Sequence, residues 1–106
     1  MEAVTSVDVP TVRAADVNGL LAQGWRLLDV RTDEEWASGR IPGSLHIPMD
    51  QLVTRLDEVG DRVLCVCAVG GRSARVTQYL VAQGREAVNV EGGVHGWASG
   101  GGPIEA

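Results

Sequence analysis

Four short apolar runs, almost without polar alternation, constrain this chain more than any other feature. They lie at residues 27–30 (Leu-Leu-Asp-Val), 45–47 (Leu-His-Ile), 63–67 (Val-Leu-Cys-Val-Cys) and 87–90 (Ala-Val-Asn-Val). Each is too short for a helix, and continuous apolar runs of this length are how strands buried on both faces read, as in a parallel sheet. A weaker fifth strand is expected over 7–12, where Pro10 removes a ladder donor and so marks an edge. Helical patterns fill the intervals. Residues 14–23 carry Val17, Leu20 and Leu21 at helical spacing and stop at Gly24. Thr32-Asp33-Glu34-Glu35 has the form of a capping box and opens a short helix through Trp36 that ends at Gly39. Residues 50–59 place Leu52, Val53, Leu56 and Val59 on one helical face, and 73–83 run through Ala74, Thr77, Leu80 and Val81 to Gly84. Strand and helix alternate, which predicts an α/β fold of three layers: a central, mostly parallel sheet of about five strands with helices on both faces. Ala22-Gln23-Gly24 and Ala82-Gln83-Gly84 echo each other, and a shared helix–glycine–strand solution accounts for the echo.

The chain has 106 residues. That length suits one domain spanning 1–106, with an ordered part at about 7–98 and a flexible Gly-rich tail at 99–106. Its nine basic residues are all Arg, and the net charge is −5. No basic stripe exists to release counterions, so neither nucleic acid nor an anionic membrane is expected as a partner. The lack of Lys excludes a P-loop. No apolar stretch reaches the ~18 residues of a membrane span. The polar start, residues 1–10, lacks the form of a secretory signal, so the expected location is cytoplasmic. Cys65 and Cys67 alone cannot build a disulfide framework.

The chemistry concentrates in Cys67-Ala68-Val69-Gly70-Gly71-Arg72-Ser73. A buried strand ends in a cysteine, and in open α/β sheets ligands bind at the carboxyl ends of strands. Glycine lets the following loop curl its N–H groups around the sulfur. The helix beginning near Ser73 adds unpaired donors, and Arg72 adds a cation. All three favour a negative charge at Cys67 and so a lowered thiol pKa and an anionic nucleophile. The plain alternative is a core cysteine followed by a turn, but a core cysteine needs neither two glycines nor an arginine after it.

This loop resembles the C-x-x-G-x-R-S active loop of the rhodanese family of sulfurtransferases. Three further segments are similar to the family's signatures in the right order: Leu28-Asp29-Val30-Arg31 followed by Glu34-Glu35-Trp36, the segment Gly39-Arg40-Ile41-Pro42-Gly43-Ser44-Leu45-His46-Ile47-Pro48, and Val90-Glu91-Gly92-Gly93 leading to Trp97. Arg40 departs from the pattern, since the family often has His there. The resemblance implies a rhodanese-type domain in which Cys67 takes sulfane sulfur from a donor such as thiosulfate, holds it as a persulfide, and passes it to cyanide or a thiol. It implies no cofactor and no metal. Ala68, Val69, Gly70, Gly71, Arg72 and Ser73 would bind the substrate through loop amides and the guanidinium, in the manner of an oxyanion hole. Arg72 either contacts substrate or braces the loop. A variant of this reading is a carrier module that delivers persulfide sulfur to a partner protein.

Spacing separates two chemistries. Cysteine phosphatases use C-x5-R around a tetrahedral phosphate, whereas Cys67 and Arg72 stand as C-x4-R, a smaller ring suited to one sulfur atom. Cys65 is read as a small core hydrophobe, the alternative being a resolving thiol in a redox pair, which an i, i+2 disulfide disfavours. His46 and His95 lack ligand spacing to the cysteines; His46 is read as a strand residue, and His95 lies near a last helix beside the pocket mouth. Asp29 needs a partner inside its strand, with Arg31 or loop amides the candidates. Arg75 lies on the rim of the loop or on a solvated helix face, and Trp36 and Trp97 are read as core or pocket wall.

Overall fold

The computed structural model describes residues 9–106. Five strands, β1 (Thr11–Val12), β2 (Arg26–Asp29), β3 (Leu45–His46), β4 (Arg62–Val66) and β5 (Glu86–Val90), form one sheet in the order β1-β5-β4-β2-β3. Every pairing is parallel. Four helices accompany them: α1 (Val17–Ala22), α2 (Asp33–Ser38), α3 (Gly71–Ala82) and α4 (Gly93–Ser99). The chain reverses direction between β2 and β4, with β2 leading outward to β3 and β4 leading the other way to β5. The carboxyl ends of those two strands are therefore where a crevice is expected.

The continuous apolar runs follow from burial on both faces. In β4 and the residue after it, Val63, Cys65 and Cys67 pack with Val76 and Leu80 of α3, while Leu64 and Val66 pack with Val17 of α1 and with Val94 and Trp97 of α4. Each large apolar side chain so buried contributes roughly 1.5–3 kcal/mol of transfer free energy. The edge strand is Thr11–Val12, and residues 7 and 8 of the expected run lie outside the described residues.

The echoed Ala-Gln-Gly segments end α1 and α3 identically. Gly24 and Gly84 take φ of +94° and +86°. The amides of Gly24 and Trp25 bond back to Leu21 and Leu20, and those of Gly84 and Arg85 to Val81 and Leu80. This pair of bonds is the Schellman stop.

Two expectations need correction. The helix expected over 50–59 is instead two 3-10 turns, Met49–Gln51 and Leu56–Glu58. Val53 points to solvent while Leu52 and Val59 are buried. The β-branched pair Val53-Thr54 is a weak helix former, and the Thr54 hydroxyl bonds the Gln51 carbonyl, which competes with helical pairing. The 14–23 helix begins as a 3-10 turn, Ala14–Asp16, before α1. The tail makes defined contacts. Glu105 pairs with Arg40 through two backbone hydrogen bonds, and the Trp97 indole N–H donates to the Pro103 carbonyl at 2.8 Å. A buried indole needs such an acceptor, and the tail supplies it.

Candidate active site

At the end of β4 the chain turns sharply through Gly70, whose φ is +115°, and enters α3 at Gly71. A side chain at that φ would be strained. The turn brings two amides onto Cys67 Sγ, Gly70 N at 3.1 Å and Ser73 N at 3.4 Å, with the Ser73 hydroxyl oxygen also at 3.4 Å. Cys67 is 1 % exposed, but its sulfur faces these polar groups.

The orientation of the loop is fixed from the far side. The first turn of α4 donates to its carbonyls, Val94 N to Cys67 O at 2.8 Å and His95 N to Ala68 O at 3.0 Å. In a planar trans peptide the N–H points opposite to the C=O, so holding those two carbonyls turns the Ala68 and Val69 amides the other way. Gly93 makes this approach possible. A Cβ there would lie 2.2 Å from Cys67 O and 2.5 Å from Ala68 O, and its φ is +60°. Asn89, 8 % exposed at the end of β5, ties the turn together: it accepts from the Ser73 hydroxyl at 2.6 Å and donates to the Gly70 carbonyl at 3.2 Å.

Two opposed effects act on the Cys67 thiol. Burial pushes its pKa up, while hydrogen bonds from the Ser73 hydroxyl and from the amides of Ser73, Gly70 and Val69 pull it down; the donors prevail and the thiol lies below its ordinary value. Cys65 has no such cradle. Burial pushes it up to about 11, offset only in part by Thr77. Cys65 in β4 and Cys67 just after it therefore lie in opposite environments, one raising and one lowering the thiol pKa.

Arg72 faces two ways: its guanidinium is held charged first by Glu35 and also by the nearby Cys67 sulfur. Its Nη1 and Nη2 donate to Glu35 Oε1 and Oε2 at 2.7 and 2.8 Å, a bidentate pair across the mouth from α2. Arg72 and Glu35 are 36 % and 33 % exposed. Glu35 also closes the capping box, accepting from the Thr32 amide at 2.9 Å. The Arg72 hydrogen bond, against the cost of burial, holds the Glu35 carboxyl down at about 2. Beside this pair lies a cleft of about 330 Å³, with Val30, Pro48 and Met49 on its apolar side and Asp33, Asp50 and Arg72 on its polar side.

Behind the cleft, Asp29 is fully buried and bound by the Arg31 guanidinium, Nη2 to Oδ2 at 2.8 Å. Arg31 also donates to the carbonyls of Glu35 and Gly39 at the two ends of α2. A buried ion pair with these extra partners positions α2, and with it Glu35. His46 stacks on Trp36 with ring centroids 4.6 Å apart and bonds the Arg31 carbonyl through Nε2. Arg40 sits over the other wall of this group, its guanidinium 4.9 Å from the Trp36 ring centroid.

A sequence model of the rhodanese-like domain matches residues 13–100. The chain belongs to the rhodanese-like family. It is 40% identical over 97 residues to a sulfurtransferase of Allochromatium vinosum, covering 89% of this chain and 86% of that protein. It is 41% identical over 73 residues to YtwF of Bacillus subtilis, covering 67% of this chain and 71% of that protein. A rhodanese-related protein from Thermoplasma volcanium has the same fold, with a TM-score of 0.84 at 31% identity, over 91% of this chain and 97% of that one.

Within this rhodanese-like fold, the loop residues singled out in the sequence come together as one structure. Gly70 and Ser73 touch the sulfur, and Arg72 binds Glu35 across the mouth. Val69 stands 65 % exposed at the loop tip, and Arg75 is exposed on α3. His95 meets the loop through its backbone amide, with its side chain exposed. Among the described residues, no three His, Cys, Asp or Glu side chains converge as a metal site. Sequence reasoning missed three parts: Glu35 as the partner of Arg72, Asn89 as the tie of the loop, and Gly93 as the point of close approach. Asn89 did leave a signal, as the one polar residue inside an otherwise apolar strand run.

Proposed function

We propose that the protein is a sulfurtransferase that carries sulfane sulfur on Cys67. The Cys67 thiolate attacks the outer sulfur of a donor X–S⁻. A new S–S bond forms, the X–S bond breaks, and X⁻ leaves with its electron pair; with thiosulfate, X⁻ is sulfite. The enzyme persulfide then gives its outer sulfur to cyanide or to a thiolate, and Cys67 returns as thiolate. No external oxidant or reductant is required, and no proton need move in the sulfur-transfer steps. The Gly70 and Ser73 donors and the α3 N-terminus stabilise the negative charge that stays on sulfur throughout.

One observation carries this reading: donors from Gly70 and Ser73 converge on a single sulfur. The C-x4-R spacing makes a ring sized for one atom, which favours sulfur over a tetrahedral phosphate. The high pKa of Cys65 argues against a resolving thiol, since that residue stays protonated at neutral pH. A free, low-pKa thiol suits a reducing compartment, and we assign the protein to the cytoplasm.

Mass spectrometry of the reduced protein after treatment with thiosulfate or inorganic polysulfide tests the proposal. The expected result is one added sulfur on the peptide containing Cys67, removed by cyanide and lost in Cys67→Ser. Addition elsewhere, or none from either donor to a folded protein, overturns it.

A further inference from the structure

The Ser73 hydroxyl has one proton to give and three acceptors within reach. Asn89 Oδ1 lies 2.6 Å from Ser73 Oγ, the Gly70 carbonyl 3.3 Å and Cys67 Sγ 3.4 Å. Asn89 decides where that proton points. One end of its amide lies 3.2 Å from the Gly70 carbonyl, which can only accept, so that end is the NH₂. Oδ1 therefore faces Ser73, and two oxygens 2.6 Å apart need a proton between them. An amide oxygen carries none, so the serine supplies it. In this state the hydroxyl turns its lone pairs, not its proton, toward the sulfur. Cys67, Ser73 and Asn89 are all buried, so bulk water does not take the place of the missing donor.

We propose that Asn89 is a positioning residue: it holds the Ser73 hydroxyl proton away from Cys67 while Sγ is neutral, as thiol or as the inner sulfur of a persulfide, and yields it when Sγ becomes an anion. Its part in turnover rests on the Cys67 persulfide reading. In the discharge step cyanide or an acceptor thiolate bonds the outer sulfur, the S–S bond breaks, and its electron pair stays on Sγ. The Ser73 hydroxyl then rotates from Oδ1 to Sγ, and its proton never leaves its own oxygen. In the loading step the order reverses: Sγ bonds the outer sulfur of the donor, loses its charge, and the hydroxyl returns to Asn89. A permanent donor would help the thiolate depart but hinder its attack, because a more acidic thiol is a better leaving group and a weaker nucleophile. A donor that follows the charge serves both steps in turn.

The shape of the loop has other supports. The Gly70 carbonyl also accepts from the Ala74 amide at 3.1 Å, and α4 holds the carbonyls of Cys67 and Ala68 through the Val94 and His95 amides. The charges nearby are likewise independent of Asn89. Arg72 opens α3 and is paired with Glu35 of α2, Asp29 in the neighbouring β2 is paired with Arg31, and the His95 side chain is exposed. Cys65 in β4 stays a neutral thiol, pushed up to about 11 by burial. Removing the Asn89 oxygen therefore frees the Ser73 proton for Sγ and makes the Cys67 thiol more acidic, by about three- to tenfold, the strength of one hydrogen bond. A mere brace predicts the opposite sign, since a loosened loop would withdraw its amides from the sulfur.

The test is the pH dependence of alkylation by iodoacetamide in the reduced full chain, in a Cys65→Ser background so that one thiol reports. Asn89→Ala should move the Cys67 midpoint down by about half to one pH unit. Ser73→Ala should move it up, and in Ser73→Ala/Asn89→Ala the loss of Asn89 should no longer move it down. Asn89→Leu, closer in volume, should act with the same sign as Asn89→Ala. A second measurement needs no change at position 89: the side-chain amide resonance of Asn89 should shift with the Cys67 midpoint, and Ser73→Ala should abolish most of that shift. Midpoints that rise or stay put in the Asn89 variants overturn the proposal. So does a fall of equal size without Ser73, or an Asn89 resonance that titrates equally in Ser73→Ala. Loading by inorganic polysulfide keeps the two readings apart. If the wild type takes up no sulfur, the persulfide reading falls and the role in turnover with it; if it loads while the Asn89 results fail, the positioning role alone is wrong.

Discussion

Replacing Glu35 by Gln isolates the charge that holds the mouth of the loop. Gln still serves at the third helical position of a capping box, so the start of α2 keeps its bonds to Thr32. What is lost is the ionic part of the pair with Arg72, at 2.7 and 2.8 Å. The magnitude follows from the carboxyl's titration. Arg72 first, with the Thr32 hydrogen bonds adding, draws Glu35 from 4.5 to about 2, and at 1.36 kcal/mol per unit the whole shift amounts to ~3 kcal/mol, of which the Arg72 share is the part lost. Both partners are about a third exposed, so solvent screening reduces this to ~1–2 kcal/mol. The sign is set by the depressed value. The contribution is complete above 4.5 and fades as pH falls through about 2, where the folded carboxyl takes its proton. Urea denaturation of both proteins over a pH series measures this directly. At neutral pH Glu35→Gln should unfold ~1–2 kcal/mol more easily, and the difference should shrink toward zero as the acid range is entered. A gap that is absent at neutral pH, or that persists unchanged in acid, refutes the reasoning.

Three other substitutions probe the cradle. Gly93→Ala would drive a methyl group into the Cys67 and Ala68 carbonyls at a left-handed φ. It should cost ~2–4 kcal/mol in chemical denaturation and depress sulfur transfer more than stability alone explains. Ser73→Ala removes a hydroxyl that helps lower the Cys67 thiol and strands Asn89 Oδ1. The pH at which Cys67 becomes alkylated by iodoacetamide should rise, with a loss of ~1–2 kcal/mol in stability. Cys65→Ser should retain most of the transfer activity at a cost of ~1 kcal/mol, whereas a redox pair predicts equal inactivation by either cysteine variant.

The middle of the sheet was legible because β2, β4 and β5 are mostly buried, so each reads as an apolar run. The stops were legible too: Gly24 and Gly84 each end a helix by the same pair of bonds. The 50–59 segment was not, because its apolar spacing mimics a helix while Val53 and Thr54 resist one. At the site, the loop from Cys67 to Ser73 was visible as a contiguous motif. Its supports were not, since Glu35, Asn89 and Gly93 reach it from α2, β5 and α4, and sequence distance hides contacts that only parallel topology creates. Glu35 was further disguised by its second role: one carboxylate closes a capping box with Thr32 and also binds Arg72.

Main-chain donors are expected to make the sulfur at position 67 an anion despite its burial. Titration of thiolate absorbance in the reduced protein tests it most directly, because Cys65 is held up at about 11 and stays silent over the neutral range. One thiol, absent in Cys67→Ser, should ionise below the ordinary cysteine value of 9.0. A Cys67 that ionises at or above that value would mean burial outweighs the donors, and the cradle does not do what its geometry implies.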